Sequence, residues 1–213
     1  MSTLLIFGAG GHGKVVAETA RAIGNWNEIM FADDAYPQVT AVDGYPVTAD
    51  FSGARSIGGG HGDVIVAIGD NRKRSDLTTQ LRQSGFNPVT LIHPAAVVAQ
   101  SAHIETGTVI FAQAVVQAAA RIGSAVIVNT AATVDHDCSI GDGVHLSPGV
   151  HLGGEVEIGD YSWLGVGAVV INRTAVGSGV TVGAGSCVIG NVSDGVTVVG
   201  VPARPMRPDQ PGD

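Results

Sequence analysis

The chain has 213 residues with 11 basic and 19 acidic side chains, a formal charge of −8, and 45% hydrophobic but only 5% aromatic residues. Such a balance is a poor match to nucleic acid, whose affinity comes from clustered Lys and Arg, and no apolar run approaches the roughly 20 residues of a membrane span. Two cysteines, Cys138 and Cys187, with no CxxC pair, offer neither a disulfide framework nor a thiolate metal site, and the first residues lack a basic signal-peptide start, so a soluble cytoplasmic protein without a metal is expected.

Residues 3–7 (TLLIF) read as a buried strand, followed by Gly8-Ala-Gly-Gly-His-Gly13 and a helical run over 14–22. Strand, GxGxxG and helix in that order form the phosphate-binding fingerprint, in which the glycines permit a tight turn and the free N–H groups at the helix start receive phosphate oxygens. Without a ligand, the same glycines would serve only close helix–strand packing. Lys14 would open this helix, where a cation is unfavourable and an anionic ligand would account for it. A second strand over 29–32 leads to Asp33 and Asp34, near the place of a ribose contact. A third strand over 64–68 runs into Gly69, Asp70 and Asn71 and a helix to about Ser84; a fourth strand covers 87–92. About 95 residues are too few for a six-stranded dinucleotide domain, so half a Rossmann unit holding one nucleotide is expected over 1–95. Its candidate ligand contacts are Gly10, Gly11, His12, Gly13, Lys14, Asp33, Asp34, Asp70, Asn71 and Arg74.

From Val98 to Val188 an aliphatic residue recurs every six positions without a break, and a small or β-branched residue follows each by four places, through Val192. Alternate residues of a strand face one side, so both positions point inward, and the two left over make a corner. Three such short strands close a triangular coil of eighteen residues, and the coils stack at about 4.8 Å through backbone hydrogen bonds. A sandwich of short strands would space its turns differently and would not hold a strict six-residue phase. A parallel β-helix therefore follows over 96–205, with a Pro-rich tail over 206–213 expected to be disordered.

Counted from Val134, His136 and Asp137 occupy corner positions and project outward. An imidazole with an unperturbed pKa near 6.5 can accept a proton at neutral pH, and a neighbouring carboxylate fixes its tautomer. One coil later stands Gly154, paired with Gly153. A glycine above the base leaves room for a substrate arm and offers its backbone N–H to a developing oxyanion, although Gly153-Gly154 is also what an ordinary corner would look like. Cys138 has the inward phase and reads as a small core residue rather than a nucleophile.

The hexad pattern resembles the hexapeptide-repeat acyltransferases. With GAGGHGKVV (8–16), FADD (31–34), AIGDNRKR (67–74), LIHP (91–94), VDHDC (134–138) and GVPAR (200–204), nearly the whole chain resembles their sialic acid O-acetyltransferase and nucleotide-sugar 4-amino-sugar N-acetyltransferase group. The resemblance implies an α/β Rossmann-like domain followed by an all-β left-handed parallel β-helix, assembled as a homotrimer with active sites between subunits. It implies His136 as general base, Asp137 as its acidic companion (the family often has Glu there), Gly154 as oxyanion donor and His145 as a second histidine near the reacting groups. Acetyl-CoA would lie along Gly154, Gly165, Val166, Gly167, Gly183, Ala184, Val201, Pro202 and Arg204, with Arg173, Arg204 and Arg207 available to its phosphates. The implied reaction is acetylation of the 4-amine of a UDP- or GDP-linked 4-amino-4,6-dideoxy sugar. Competing readings are sialic acid O-acetylation, a noncatalytic scaffold, a nicotinamide oxidoreductase and a trimeric zinc enzyme. The last is opposed by His136, His145 and His151 falling on different sides of a coil.

Overall fold

The structure is a computed structural model describing residues 2–57 and 62–206, so Arg207 and the remainder of the tail lie outside the described residues. The N-terminal unit is built from β1 (Thr3–Phe7), α1 (Gly11–Ile23), β2 (Glu28–Ala32), β3 (Ala41–Val42), β4 (Tyr45–Ala49), α2 (Phe51–Ile57), β5 (Asp63–Val66), α3 (Asn71–Gln83) and β6 (Asn87–Pro88). Its sheet runs β3-β4-β2-β1-β5-β6 and is parallel except for the β3–β4 hairpin, the Rossmann-like arrangement expected. Continuous apolar runs such as Leu4, Ile6 and Phe7 suit strands covered on both faces. Helix α1 begins three residues earlier than its apolar pattern suggests, at Gly11, so the glycine motif forms its first turn; it ends at Gly24, whose left-handed φ of 77° lets its N–H reach Ala20 O.

The expected fourth strand is divided. Asn87–Pro88 pairs with β5, whereas Leu91–Ile92 (β7) pairs with Val109–Ile110 and forms the first strand of the second unit. The switch occurs at Val89, whose N–H still bonds Val64 O, while the N–H of Leu91 already bonds Thr108 O.

From β7 onward the chain winds as a left-handed parallel β-helix of two-residue strands on three faces. Residues eighteen apart lie in register: Val109, Ile127, His145, Trp163 and Thr181 form one outward column on the first face. Inside, Ile110, Val128, Leu146, Leu164 and Val182 stack with the small residues Ala114, Ala132, Cys138 and Ala168. Each fully buried aliphatic contributes about 1.5–3 kcal/mol. From Gly107 to Gly185 the second corner residue adopts a left-handed conformation, whether glycine (Gly143, Gly167) or not (Ala131, Asp137, Glu155), so the φ of 57° at Asp137 is a rule of these corners rather than local strain.

The six-residue phase fails near its end. Val192 pairs with Val176 and Thr197 with Thr181, both sixteen apart, so Val192 is a strand residue and not the small inward residue its spacing suggests. Asn191 fills the shortened corner by accepting the Ala175 N–H through Oδ1 at 2.9 Å.

The two units pack through the first face. Its outward residues Leu91, Val109 and Ile127 are buried against Val16, Ala17 and Ala20 of α1. Arg74, only 1% exposed, pins the edge: its guanidinium donates to Ile68 O and Ala125 O, and to Gly143 O at 2.8 Å, as well as to Asn71 Oδ1. Asn71 Nδ2 donates in turn to Tyr161 O and Ser162 O.

Candidate active site

The strand Thr133–Val134 belongs to the second face and Ser139–Ile140 to the third, so Asp135, His136 and Asp137 form the corner between them. The His136 N–H donates to Asp135 Oδ1 at 2.7 Å, and its Nδ1 lies 2.9 Å from Asp137 Oδ2. A carboxylate only accepts, so Nδ1 carries the proton and Nε2 presents a lone pair. The hydrogen bond to Asp137 raises the imidazole pKa above its ordinary value, with Asp135 and Glu155 adding to the effect. Even the short Asp arm makes the contact.

Gly154 lies one coil above, but its missing side chain does not clear a path for a substrate arm. A Cβ there would fall 2.5 Å from His136 Nε2, so the space holds the imidazole itself. What the corner leaves open is the Gly154 N–H. At the equivalent place on another edge this donor is capped by a carboxylate: Ser124 N–H by Asp142, Asp142 N–H by Asp160, and Ser178 N–H by Asp194. The residue above Gly154 is Asn172, and among the described residues the Gly154 N–H has no acceptor. A free donor and a base nitrogen thus share one groove of about 610 Å³, walled by His151, Val169, Ile171 and the Arg173–Glu155 ion pair.

On the opposite side, the glycine loop meets the first face. Its glycines divide by role. A Cβ at Gly13 would lie 2.1 Å from Gly8 O and one at Gly8 would lie 2.7 Å from Ala67 O, so these serve packing, whereas Gly10 and Gly11 face open space. His12 packs edge-on to Phe111 with ring centroids 5.6 Å apart and lies 6.5 Å from His145. Its Nε2 is buried without a partner among the described residues, and burial followed by the Arg74 charge lowers its pKa to about 4. Burial, Arg74 and His12 lower that of His145 to about 3. Asn129, which no sequence motif indicated, sets the His145 tautomer: its Oδ1 accepts the Thr130 N–H, so Nδ2 faces His145 Nε2 at 3.2 Å. That nitrogen accepts, leaving Nδ1–H as a fixed donor. Trp163, eighteen residues on, stacks over His145 and donates through Nε1 to Ser147 Oγ.

Other expected contacts are occupied within the fold. Asp33 holds the glycine loop by accepting the Ala9 N–H at 2.8 Å, Asp34 accepts the Phe51 N–H, and Asp70 caps α3 at the Lys73 N–H. Lys14, the fourth residue of α1, pairs with Asp43 at 3.3 Å and does not require a ligand anion. The reading of Arg74 as a ligand contact is corrected: its donors are spent on backbone carbonyls at the junction of the two units. Burial lowers its pKa to about 10, still far above neutrality.

Gly165, Val166 and Gly167 stack below Gly183 and Ala184 at the corner between the first and second faces, across the second face from His136. There a Cβ at Gly165 would meet Ala184 N at 2.6 Å, while Gly167 is open. Val201 and Pro202 lead into Arg204–Pro205, which returns antiparallel to Val198–Val199; Val201 and Arg204 are exposed. Within one chain, then, the His136 corner and the His12–His145 side do not meet: the first face lies opposite the corner joining the other two. Among the described residues no group of three or more His, Cys, Asp or Glu is placed to hold a metal, and no helix is long and apolar enough to cross a membrane.

Residues 3–81 match the PglD N-terminal domain. The solved acetyltransferase domain of PglB from Neisseria gonorrhoeae, in complex with acetyl coenzyme A, is 48% identical, with a TM-score of 0.92 over 96% of this chain and 98% of that one. A histidine-to-alanine variant of GDP-perosamine N-acetyltransferase from Caulobacter crescentus, in complex with CoA and GDP-perosamine, is 39% identical with a TM-score of 0.91 over 98% of each chain. The UDP-N-acetylbacillosamine N-acetyltransferase of Bacillus subtilis is 39% identical over 115 residues, a match spanning 52% of this chain and about half (51%) of that protein. The chain belongs to the nucleotide-sugar N-acetyltransferase family of hexapeptide-repeat proteins.

Proposed function

We propose that the protein transfers the acetyl group of acetyl-CoA to the 4-amine of a UDP- or GDP-linked 4-amino-4,6-dideoxy sugar. The observation that carries this reading is the base nitrogen of His136 beside the uncapped N–H of Gly154. The amine attacks the thioester carbonyl, and Nε2 of His136 takes the proton that the nitrogen loses. The Gly154 N–H donates to the oxyanion of the tetrahedral adduct, and collapse breaks the carbon–sulfur bond. The imidazolium then returns its proton to the CoA thiolate, so the products are the amide and free CoA. Asp137 holds the imidazole in the required tautomer and stabilises its charged form. Relatives captured with acetyl-CoA and with GDP-perosamine support this choice of substrates.

Because the glycine loop, His12 and His145 lie on the side away from His136, a neighbouring subunit has to bring the sugar to the base. A homotrimer with sites between subunits meets that requirement. Acetyl-CoA would lie along the second face between the His136 corner and the Gly165–Gly167 and Gly183–Ala184 corner, with Val201, Pro202 and Arg204 at its far end. Gly10 and Gly11, the open glycines, would receive the diphosphate, and the fixed Nδ1–H of His145 would orient the sugar. The enzyme works in the cytoplasm, where nucleotide sugars and acetyl-CoA are available.

The test is a thiol-release assay with UDP- and GDP-linked 4-amino sugars and with sialic acid as acceptors, the product bond identified by NMR. An amide on a nucleotide-linked sugar is expected. An ester on sialic acid, or no thiol release with any acceptor, contradicts the reading.

A further inference from the structure

The small inward position of the hexad holds a polar side chain at a few coils, and at two of them the side chain brackets a corner peptide. Thr108 Oγ1 donates to Gly123 O at 2.8 Å and accepts the Val126 N–H; Ser162 Oγ donates to Gly177 O at 2.7 Å and accepts the Val180 N–H. The N–H at the other end of each of these peptides, on Ser124 and Ser178, is capped by Asp142 or Asp194. Both ends are therefore tied.

Cys138 stands in the same relation to the Gly153–Gly154 peptide. Its Sγ lies 3.2 Å from Gly153 O and donates to it, across the same fifteen-residue step as the Thr108 and Ser162 hydroxyls. Here the inner tie is kept and the outer cap is missing. A trans peptide is rigid and planar, with its C=O and N–H pointing in opposite directions. Holding the carbonyl toward the core therefore aims the N–H outward. Two adjacent glycines give this peptide more rotational freedom than any side-chain-bearing corner has, which makes the inner tie matter most here.

We infer that Cys138 is a positioning residue for the oxyanion donor: its thiol fixes the Gly153 carbonyl and thereby the direction of the Gly154 N–H. The side chain is only 1% exposed and does not touch substrate. This inference rests on the role proposed for Gly154.

The test compares Cys138→Ala, Cys138→Val and Cys138→Ser in the full chain. Valine fills the same hexad position at residues 126, 144 and 150 and so keeps the packing without the donor. Losing an oxyanion donor outright costs about 10²–10³ in kcat, and a donor present but loosely aimed is expected to cost about tenfold. The Ala and Val variants should lose that factor in kcat with both KM values within about twofold of native, and Ser, a donor like Ser162, should restore turnover. The inference is overturned if Ala and Val keep native kcat, if Ser fails as they do, or if turnover only follows melting temperature across the series. His136-dependent transfer that ignores all three changes defeats this inference alone; absence of acetyl transfer by the native protein defeats the function proposed above.

Discussion

The imidazole of His136 lies against Gly154 of the next coil so closely that a Cβ at residue 154 would fall within 2.5 Å of Nε2 and 2.7 Å of Cε1. Base and backbone donor are thus packed into one unit, and residue 154 controls both. Gly154→Ala should push the ring off its Asp137 contact and lower kcat by about 10²-fold or more, the scale of losing a donor or a base. Gly154 is buried, but the His136 ring it would displace is about half exposed and can swing into solvent, so the melting temperature should move little. Steady-state kinetics with a thermal melt check this; near-native kcat would show that the ring has no need of that position.

Asp137 sets the acid side of the pH profile. Its hydrogen bond raises the His136 pKa, and the base works only when deprotonated, so native kcat/KM should fall on acidification at a pH above the ordinary imidazole value. In Asp137→Asn the acid limb should move to lower pH while the plateau drops about tenfold, because the tautomer is no longer enforced. An unmoved limb would separate Asp137 from the ionisation.

His12 and His145 make stability fall in acid. Their folded-state pKa values, about 4 and about 3, lie below the unfolded value near 6.5, so between these limits the unfolded chain binds protons that the folded chain refuses. The stability is complete above the unfolded pKa and declines as pH falls toward the folded values, by about 2 kcal/mol per histidine at pH 5. Denaturant midpoints at pH 7.5 and pH 5 should show this loss, and His12→Asn with His145→Asn should remove most of it. An equal loss in the double variant would contradict the assignment.

Arg74 joins the two units. Replacing it with Met keeps the stem but leaves the Ala125 and Gly143 carbonyls without their donor, at an expected cost of about 3–5 kcal/mol. Arg74→Lys should rescue only part, because an ammonium cannot span the same fork of acceptors. Urea unfolding measures both; a native midpoint in the Met variant would deny the clamp.

The β-helix was readable because its six-residue phase is strict wherever solvent lies outside. It misled at its two ends. At Leu91 the outward residue is buried beneath α1, so inward and outward cannot be told apart by hydrophobicity. After Val188 two residues are missing from the coil, and Val192 changes role. The relation of His136 to Gly154 followed from adding one coil, but which atom fills the gap depends on the ring's rotamer, which spacing does not encode. Arg74 was misread because a cation near a helix start beside glycine resembles an anion site; its acceptors at Ala125 and Gly143 lie 51 and 69 residues away in the chain. Trp163 lay within reach of the same arithmetic, eighteen residues beyond His145 in its column, and Asn129 stands two residues past Ile127 of that column, yet neither belongs to a motif that calls for it.

The most direct measurement is turnover by His136→Ala at saturating acetyl-CoA and nucleotide-linked 4-amino sugar, with the affinity of each substrate determined by calorimetry on the same preparation. The account predicts that both substrates still bind within a few-fold of native while kcat falls by about 10²-fold or more. Native kcat in that variant, with binding intact, would contradict it.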